Sequence, residues 1–207
     1  MSVIDKVIAA VTPPESDEAR RDAREKARRS AGSGDWLERV LDHHLQIEAA
    51  FASVKEGSSA EERTAALKAL ARVLTGHANA EESVLYPALA AADEKAHAMM
   101  AYGEQAAVKV QMGLLENLPP MSQDFLDKLE HIRGAVAHHM YEEEGTWFLD
   151  LKRKAPLADQ AKLAARYHEE YARYVGAEDD LQDSDDSDAA SLLAPQNRAD
   201  FGNAPMR

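Results

Sequence analysis

One phrase occurs twice in this chain. His77 is followed four residues later by Glu81, and then by Leu85, Tyr86 and Pro87; His139 is followed by Glu143, and then by Trp147, Phe148 and Leu149. In both copies an aromatic residue stands nine positions after the His, Tyr86 in one and Phe148 in the other. Residues i and i+4 of a helix lie on one face, with Cβ atoms about 5–6 Å apart. Each copy therefore sets an imidazole beside a carboxylate. Two such pairs facing each other would hold metal, which points to a fold in which helices meet around a shared interior.

The rest of the chain agrees with helices. Ala, Leu, Glu, Lys and Arg dominate its 207 residues, and all are good helix formers. β-branched residues are sparse and no stretch alternates with period two, so the expected fold is all-α. There is no cysteine, which removes thiolate sites, iron–sulfur clusters and a Cys nucleophile. A metal here has to be held by His, carboxylate, amide or phenol groups, a set that suits iron, manganese or zinc better than copper(I). The formal net charge of −13 repels phosphate backbones, and no nucleic-acid partner is expected. No run of about 18 apolar residues occurs and no membrane span is expected. The N-terminus lacks the basic start of a secretory signal, and the default location is the cytoplasm.

The punctuation divides the chain into an N-terminal helical arm (1–34), a four-helix bundle (35–154), a C-terminal helix (155–175) and an acidic tail (176–207). Within the arm, 2–11 reads as a short amphipathic helix and 16–30 as a charged helix lying on something else. Asp35 caps the first bundle helix, to residue 56, with Trp36, Val40, His44, Ile47 and Phe51 in step. Ser59-Ala-Glu-Glu62 is a capping box that opens a long helix to residue 91, kinked near Pro87, with Leu67, Leu70, Leu74, His77, Glu81 and Leu85 inward. A third helix over 93–117, capped by Asp93, carries Met99, Tyr102, Gln105, Met112 and Leu115; Met99 and Met100 read as core filler. The fourth, over 122–154, carries Phe125, Leu129, Ile132, Val136, His139, Glu143 and Trp147. From Gly176 to Gln196 there are seven acidic residues and no Lys or Arg, and the tail reads as disordered. Long helices joined by short loops pack up-down-up-down, with sites built in the core from side chains on facing helices.

His44 adds a third imidazole to the two phrases, while its neighbour His43, about 100° away on the helix, reads as exposed or supporting. Three helices thus aim His44, His77 and His139 at one core, joined by Glu81 and Glu143. A carboxylate can bridge two cations and offset their repulsion, and a buried Glu without such partners would be costly. The second nitrogen of each imidazole needs an acceptor, for which Glu82, Glu142 and Glu144 are the neighbouring candidates.

Three motifs in this order resemble the hemerythrin-like (HHE cation-binding) family over roughly residues 36–152. They are His43-His44-Leu-Gln-Ile-Glu48-Ala-Ala-Phe51, His77-x-x-x-Glu81-Glu82-x-x-Leu85-Tyr86-Pro87 and His138-His139-x-x-x-Glu143-Glu144. The resemblance implies a non-haem di-iron centre bridged by oxygen and two carboxylates, with His44 and His77 serving one iron, His139 the other, and Glu81 and Glu143 bridging. It also implies a His on the third helix, where this chain has Gln105 in Tyr102-Gly103-Glu104-Gln105. An asymmetric two-metal site follows, with Gln105, Tyr102 and Glu48 as further oxygen donors or supporting groups. The function this implies is binding of, or reaction with, oxygen, peroxide or nitric oxide, in the setting of oxidative stress. The other reading is a metal-dependent sensing or interaction module that meets a protein partner through the N-terminal arm or acidic tail.

Overall fold

The computed structural model describes residues 15–176. The helix expected over 2–11 and all of the acidic tail beyond Gly176 lie outside the described residues. Among the described residues eight α-helices follow one another: α1 (Asp17–Ser30), α2 (Trp36–Glu56), α3 (Ala60–Ala80), α4 (Tyr86–Ala91), α5 (Lys95–Leu115), α6 (Gln123–Glu142), α7 (Phe148–Lys154) and α8 (Leu157–Val175). Two π-helical turns, Glu81–Leu85 and Glu143–Trp147, join α3 to α4 and α6 to α7. The described residues are all-helical, and none of their helices is long and apolar enough to cross a membrane.

The predicted starts are capped by side chains. Ser16 accepts from the Ala19 N–H, Asp35 from Leu37, Ser59 from Glu62 and Ser122 from Phe125, at 2.9–3.2 Å. Each such cap stabilises its helix by about 1 kcal/mol. Asp93 departs from expectation. It takes a left-handed φ of 66° and ends α4, while the Glu94 N–H bonds back to the Leu89 carbonyl. That is the Schellman closure of a helix C-terminus, so α5 starts after Glu94 without a side-chain cap.

The inward stripe of α5 also differs. Ala98, Ala101, Gln105, Val108, Met112 and Leu115 are buried, whereas Met99 is 75% exposed and Met100 and Tyr102 point outward. Small alanines, rather than the larger methionines, carry the stripe at the start of α5. On α2 and α6 the expected stripes are inward: Trp36, Val40, His44, Ile47 and Phe51 on α2, and Phe125, Leu129, Ile132, Val136 and His139 on α6 are all buried.

The apolar core is divided in two. One cluster gathers Trp36, Leu37, Val40, Leu41, Leu85, Leu89, Trp147, Phe148 and Leu151 with Tyr167 and Tyr171. The other gathers Ile47, Phe51, Leu67, Leu70, Val108, Met112, Phe125, Leu129 and Ile132. Along α2 the divide falls at His44, and on the run from α6 into α7 it falls between Met140 and Trp147, at Glu143. The polar side chains therefore form a layer across the bundle, with an apolar half-core on each side.

Two helices brace this frame. α8 packs along α3 and α2, and the close approach needs Gly76, where a Cβ would lie 3.1 Å from Val175 Cγ1. α1 lies on α2 and on the second π turn. Its buried face is Ala23 and Ala27, so the charged helix of the arm is docked on the bundle.

Candidate metal centre

The two π turns start at the two glutamates of the doubled phrase. The Tyr86 N–H bonds to the Glu81 carbonyl and the Phe148 N–H to the Glu143 carbonyl, five residues back in both cases. Such turns occur often at functional sites. Here they turn Glu81 and Glu143, each fully buried, into the interior beside their histidines. The expected long helices over 59–91 and 122–154 are thus interrupted at the glutamates, and the repeat extends to the backbone.

Four side chains converge. One ligand atom from each of His44, His77, Glu81 and Glu143 lies within 4.8 Å of all the others, and all four residues are buried. His44 Nε2 is 3.3 Å from Glu143 Oε2, and His77 Nε2 is 3.2 Å from Glu81 Oε2. His44 Nε2, His77 Nε2, Glu81 Oε1 and Glu143 Oε2 have no hydrogen-bond partner among the described residues. Buried polar atoms are ordinarily satisfied. Two unpartnered imidazole nitrogens and two unpartnered carboxylate oxygens in one layer form a donor set that fits a cation such as iron, manganese or zinc.

A second set lies on the other side of the carboxylates. His139 Nε2 is 3.3 Å from Glu143 Oε1. Between them stands the Tyr86 hydroxyl, 2.9 Å from Glu143 Oε1, 3.1 Å from Glu81 Oε2 and 3.0 Å from His139 Nε2. The Gln105 amide nitrogen donates to Glu81 Oε2 and to Tyr86 Oη, both at 2.6 Å. The carboxylates thus face His44 and His77 on one side and His139, Tyr86 and Gln105 on the other.

The remaining imidazole nitrogens are held. His44 Nδ1 donates to Glu144, which also accepts from Arg24 Nε. His139 Nδ1 is 2.7 Å from Glu104, and His77 Nδ1 is 3.0 Å from the Tyr167 hydroxyl. His43, expected at the surface, is 2% exposed; its Nδ1 meets the same Tyr167 hydroxyl and its ring stacks on Tyr171 at 3.7 Å. It is buried because α8 covers that flank of α2. Of the other candidates, Glu48 turns outward to pair with Arg24 at 2.8 and 2.9 Å, Tyr102 donates to the Glu82 carbonyl at 2.6 Å, and Glu82 pairs with Lys109. A further group, Glu94, His97 and Asp150, has its carboxylates engaged by Lys154 and Arg153.

Sequence reasoning missed Glu104, Tyr167, Arg24 and the central place of Tyr86. Tyr86 was visible as the aromatic nine after His77. Tyr167, Tyr171 and Val175 recur at four-residue steps, a buried stripe that marks α8 as part of the core.

Burial opposes charge throughout the layer. For His44 that downward push is overridden by Glu143 and Glu144, which raise the imidazole to about 9. His139 is likewise held well above the usual range, by Glu143 and Glu104 against burial. Burial and then the neighbouring His44 push His77 well below it. Burial and the Glu143 charge push Glu81 well up, while for Glu143 burial is overcome by His139 and His44, which hold it low. Burial and both carboxylates keep the Tyr86 phenol protonated.

A cation entering this layer has to displace the proton of His44, which its carboxylate neighbours hold up to about 9. Its affinity is therefore expected to rise with pH through the neutral range by about tenfold per unit, levelling off above about 9. Calorimetric titration of a divalent cation in buffers of different ionisation enthalpy measures the proton release directly; affinity independent of pH would contradict it. Replacing Arg24 with Gln leaves Glu144, 1% exposed, without its guanidinium partner. The expected result is a tenfold to hundredfold loss of metal affinity, about what removal of an outer hydrogen-bonding partner costs, seen by competition with a chelating dye.

An all-helical frame enclosing a His/carboxylate cation site defines a class of metal-binding bundle, and the comparison with known families agrees. The model of the hemerythrin HHE cation-binding domain matches residues 35–151, more than half of the chain, and the chain belongs to that family. It is a metal-binding domain. Among curated proteins it is similar to a DNA nickase of Nostoc sp. (strain PCC 7120), with 24% identity over 112 residues, 54% of this chain and 32% of that protein. The chain thus spans about a third of the length of the curated relative it matches. No solved structure matches it.

Proposed function

We propose that this chain is a non-haem di-iron protein that binds or reacts with a small oxidant: oxygen, peroxide or nitric oxide. The observation that carries the reading is the pair of buried carboxylates with His44 and His77 on one side and His139 on the other. His44 and His77 would hold one ion, His139 would hold the other, and Glu81 and Glu143 would bridge. Tyr86, rather than a histidine of α5, would supply oxygen to the second ion, with Gln105 orienting it. The pair would supply electrons and an open coordination position. The chain's own groups do the rest: Glu144, Glu104 and Tyr167 fix the imidazoles, the two half-cores wall the layer on either side, and Gln105 holds a hydrogen bond on the carboxylate edge.

The test is anaerobic loading with ferrous iron, metal analysis, and addition of hydrogen peroxide. Two ions per chain and a spectral change on oxidation are expected; zinc as the bound metal, or no response to peroxide, oxygen or nitric oxide, would overturn the reading.

A second reading, a metal-dependent sensing module, is favoured by the path from His44 through Glu144 to Arg24 on α1. It predicts that metal loading protects the 15–34 segment from proteolysis. The name of the Nostoc relative brings DNA strand cleavage into view, against which the net charge of −13 speaks; a plasmid-nicking assay with the metal-loaded protein decides it.

A further inference from the structure

A cavity of about 240 Å³ opens between α3 and α5 and reaches the polar layer at His77, Gln105 and His139. α5 packs closely on α4 and α6, but beside α3 the space is left to this cavity. Its walls are apolar: Ala71, Leu74, Ala78, Val108, Met112 and Val136, with Met140 on α6. Methionines let such walls adapt to a guest. Its volume exceeds what a diatomic molecule or hydrogen peroxide fills. A dry apolar cavity of about 150 Å³ holds benzene, so this one has room for about ten non-hydrogen atoms.

The inner end carries an unmet demand. The Gln105 side chain, 6% exposed, spends its amide nitrogen on Glu81 and Tyr86, and its Oε1 is buried without a partner among the described residues. That oxygen can only accept. The charged groups along the cavity offer little to an anion: Lys109 is held by Glu82 at 2.7 and 2.8 Å, His139 lies between Glu104 and Glu143, and the exposed Glu116 adds a negative charge to the lining. The complementary guest is neutral, apolar along its length and ends in an O–H donor.

We propose that this cavity is a substrate pocket, and that the oxidant it brings to the His/Glu layer is an alkyl hydroperoxide whose terminal O–H donates to Gln105 Oε1. The assignment rests on the oxidant-reactive reading above. Reduction of the hydroperoxide breaks its O–O bond and releases the alcohol and water, taking two protons from solvent and two electrons from the ferrous ions of the loaded protein.

Binding is tested on the full-length metal-free protein with cumyl alcohol, the unreactive counterpart of cumene hydroperoxide, and with tert-butylbenzene, which replaces the hydroxyl by a methyl. Saturable binding is expected, with shifts of the Met112 and Met140 methyl resonances and at least tenfold preference for the alcohol. Gln105→Leu is expected to erase that preference, and Ala71→Phe to block both guests. Absence of saturable binding to the wild-type protein, or a preference that survives Gln105→Leu, overturns the pocket. The iron-loaded protein is then mixed with cumene hydroperoxide and with hydrogen peroxide. Consumption of hydrogen peroxide without cumyl alcohol binding sinks the pocket and spares the oxidant reading. Alcohol binding without reaction toward any oxidant does the reverse, leaving a pocket for neutral alcohols and removing the hydroperoxide from the proposal.

Discussion

Glu143→Gln is expected to abolish metal binding, lowering affinity by at least about a hundredfold. Loss of a partner one step removed from a metal already costs tenfold to a hundredfold, and Glu143 presents oxygens to both sets: Oε2 lies 3.3 Å from His44 Nε2 and Oε1 3.3 Å from His139 Nε2. The substitution keeps the shape and removes the charge. It also leaves two buried imidazoles, both raised by Glu143 among other carboxylates, short of a counter-ion. Breaking a buried charge pair from one side costs about 3–5 kcal/mol, so the metal-free protein should unfold at lower denaturant. Metal analysis after gel filtration and equilibrium unfolding give the two readouts. Glu142→Gln, one position earlier and half-buried, is the control and should retain metal. A Glu143→Gln protein that keeps its metal would remove the bridging role.

Tyr86→Phe is the sharper test of asymmetry. The hydroxyl donates between two buried carboxylates and receives the Gln105 amide. Its loss leaves those acceptors short of a donor, at about 1–3 kcal/mol in the metal-free protein. If its oxygen completes the second set, ferric loading of the wild-type protein gives a visible phenolate-to-iron band. The variant should lose that band and bind one ion per chain instead of two. An unchanged spectrum and stoichiometry would show that Tyr86 only buttresses the carboxylates.

The helical stripes outside the start of α5, the caps other than Asp93, and the five His and Glu residues that meet in the layer could be read from the chain because they follow from helical periodicity and from local hydrogen bonding. What escaped was set by neighbours distant in sequence. His43 lies three residues after Val40 and four before Ile47, a spacing compatible with burial, but only the docking of α8 decides it. Glu104 and Tyr167 meet His139 and His77 across 35 and 90 residues, and no local pattern announces such pairs. Met99 and Tyr102 misled because a large hydrophobic residue weighs more in a periodicity argument than the alanines that pack at the start of α5. The π turns leave no hydropathy mark, since an added residue alters the angle rather than the composition.

That angle matters beyond the glutamates. In an α-helix four residues overshoot a full turn by about 40°. A string His77, Glu81, Leu85, Leu89 would then drift by about 120° and lose its last member to solvent. The string His139, Glu143, Trp147, Leu151 would do the same. Yet Leu85, Leu89 and Leu151 are fully buried and Trp147 almost so. The π turns take back the drift, and they do so at the same step of both strings. The two helices therefore leave the polar layer in phase with each other, and a one-residue deletion in either would put its upper half out of step with its twin.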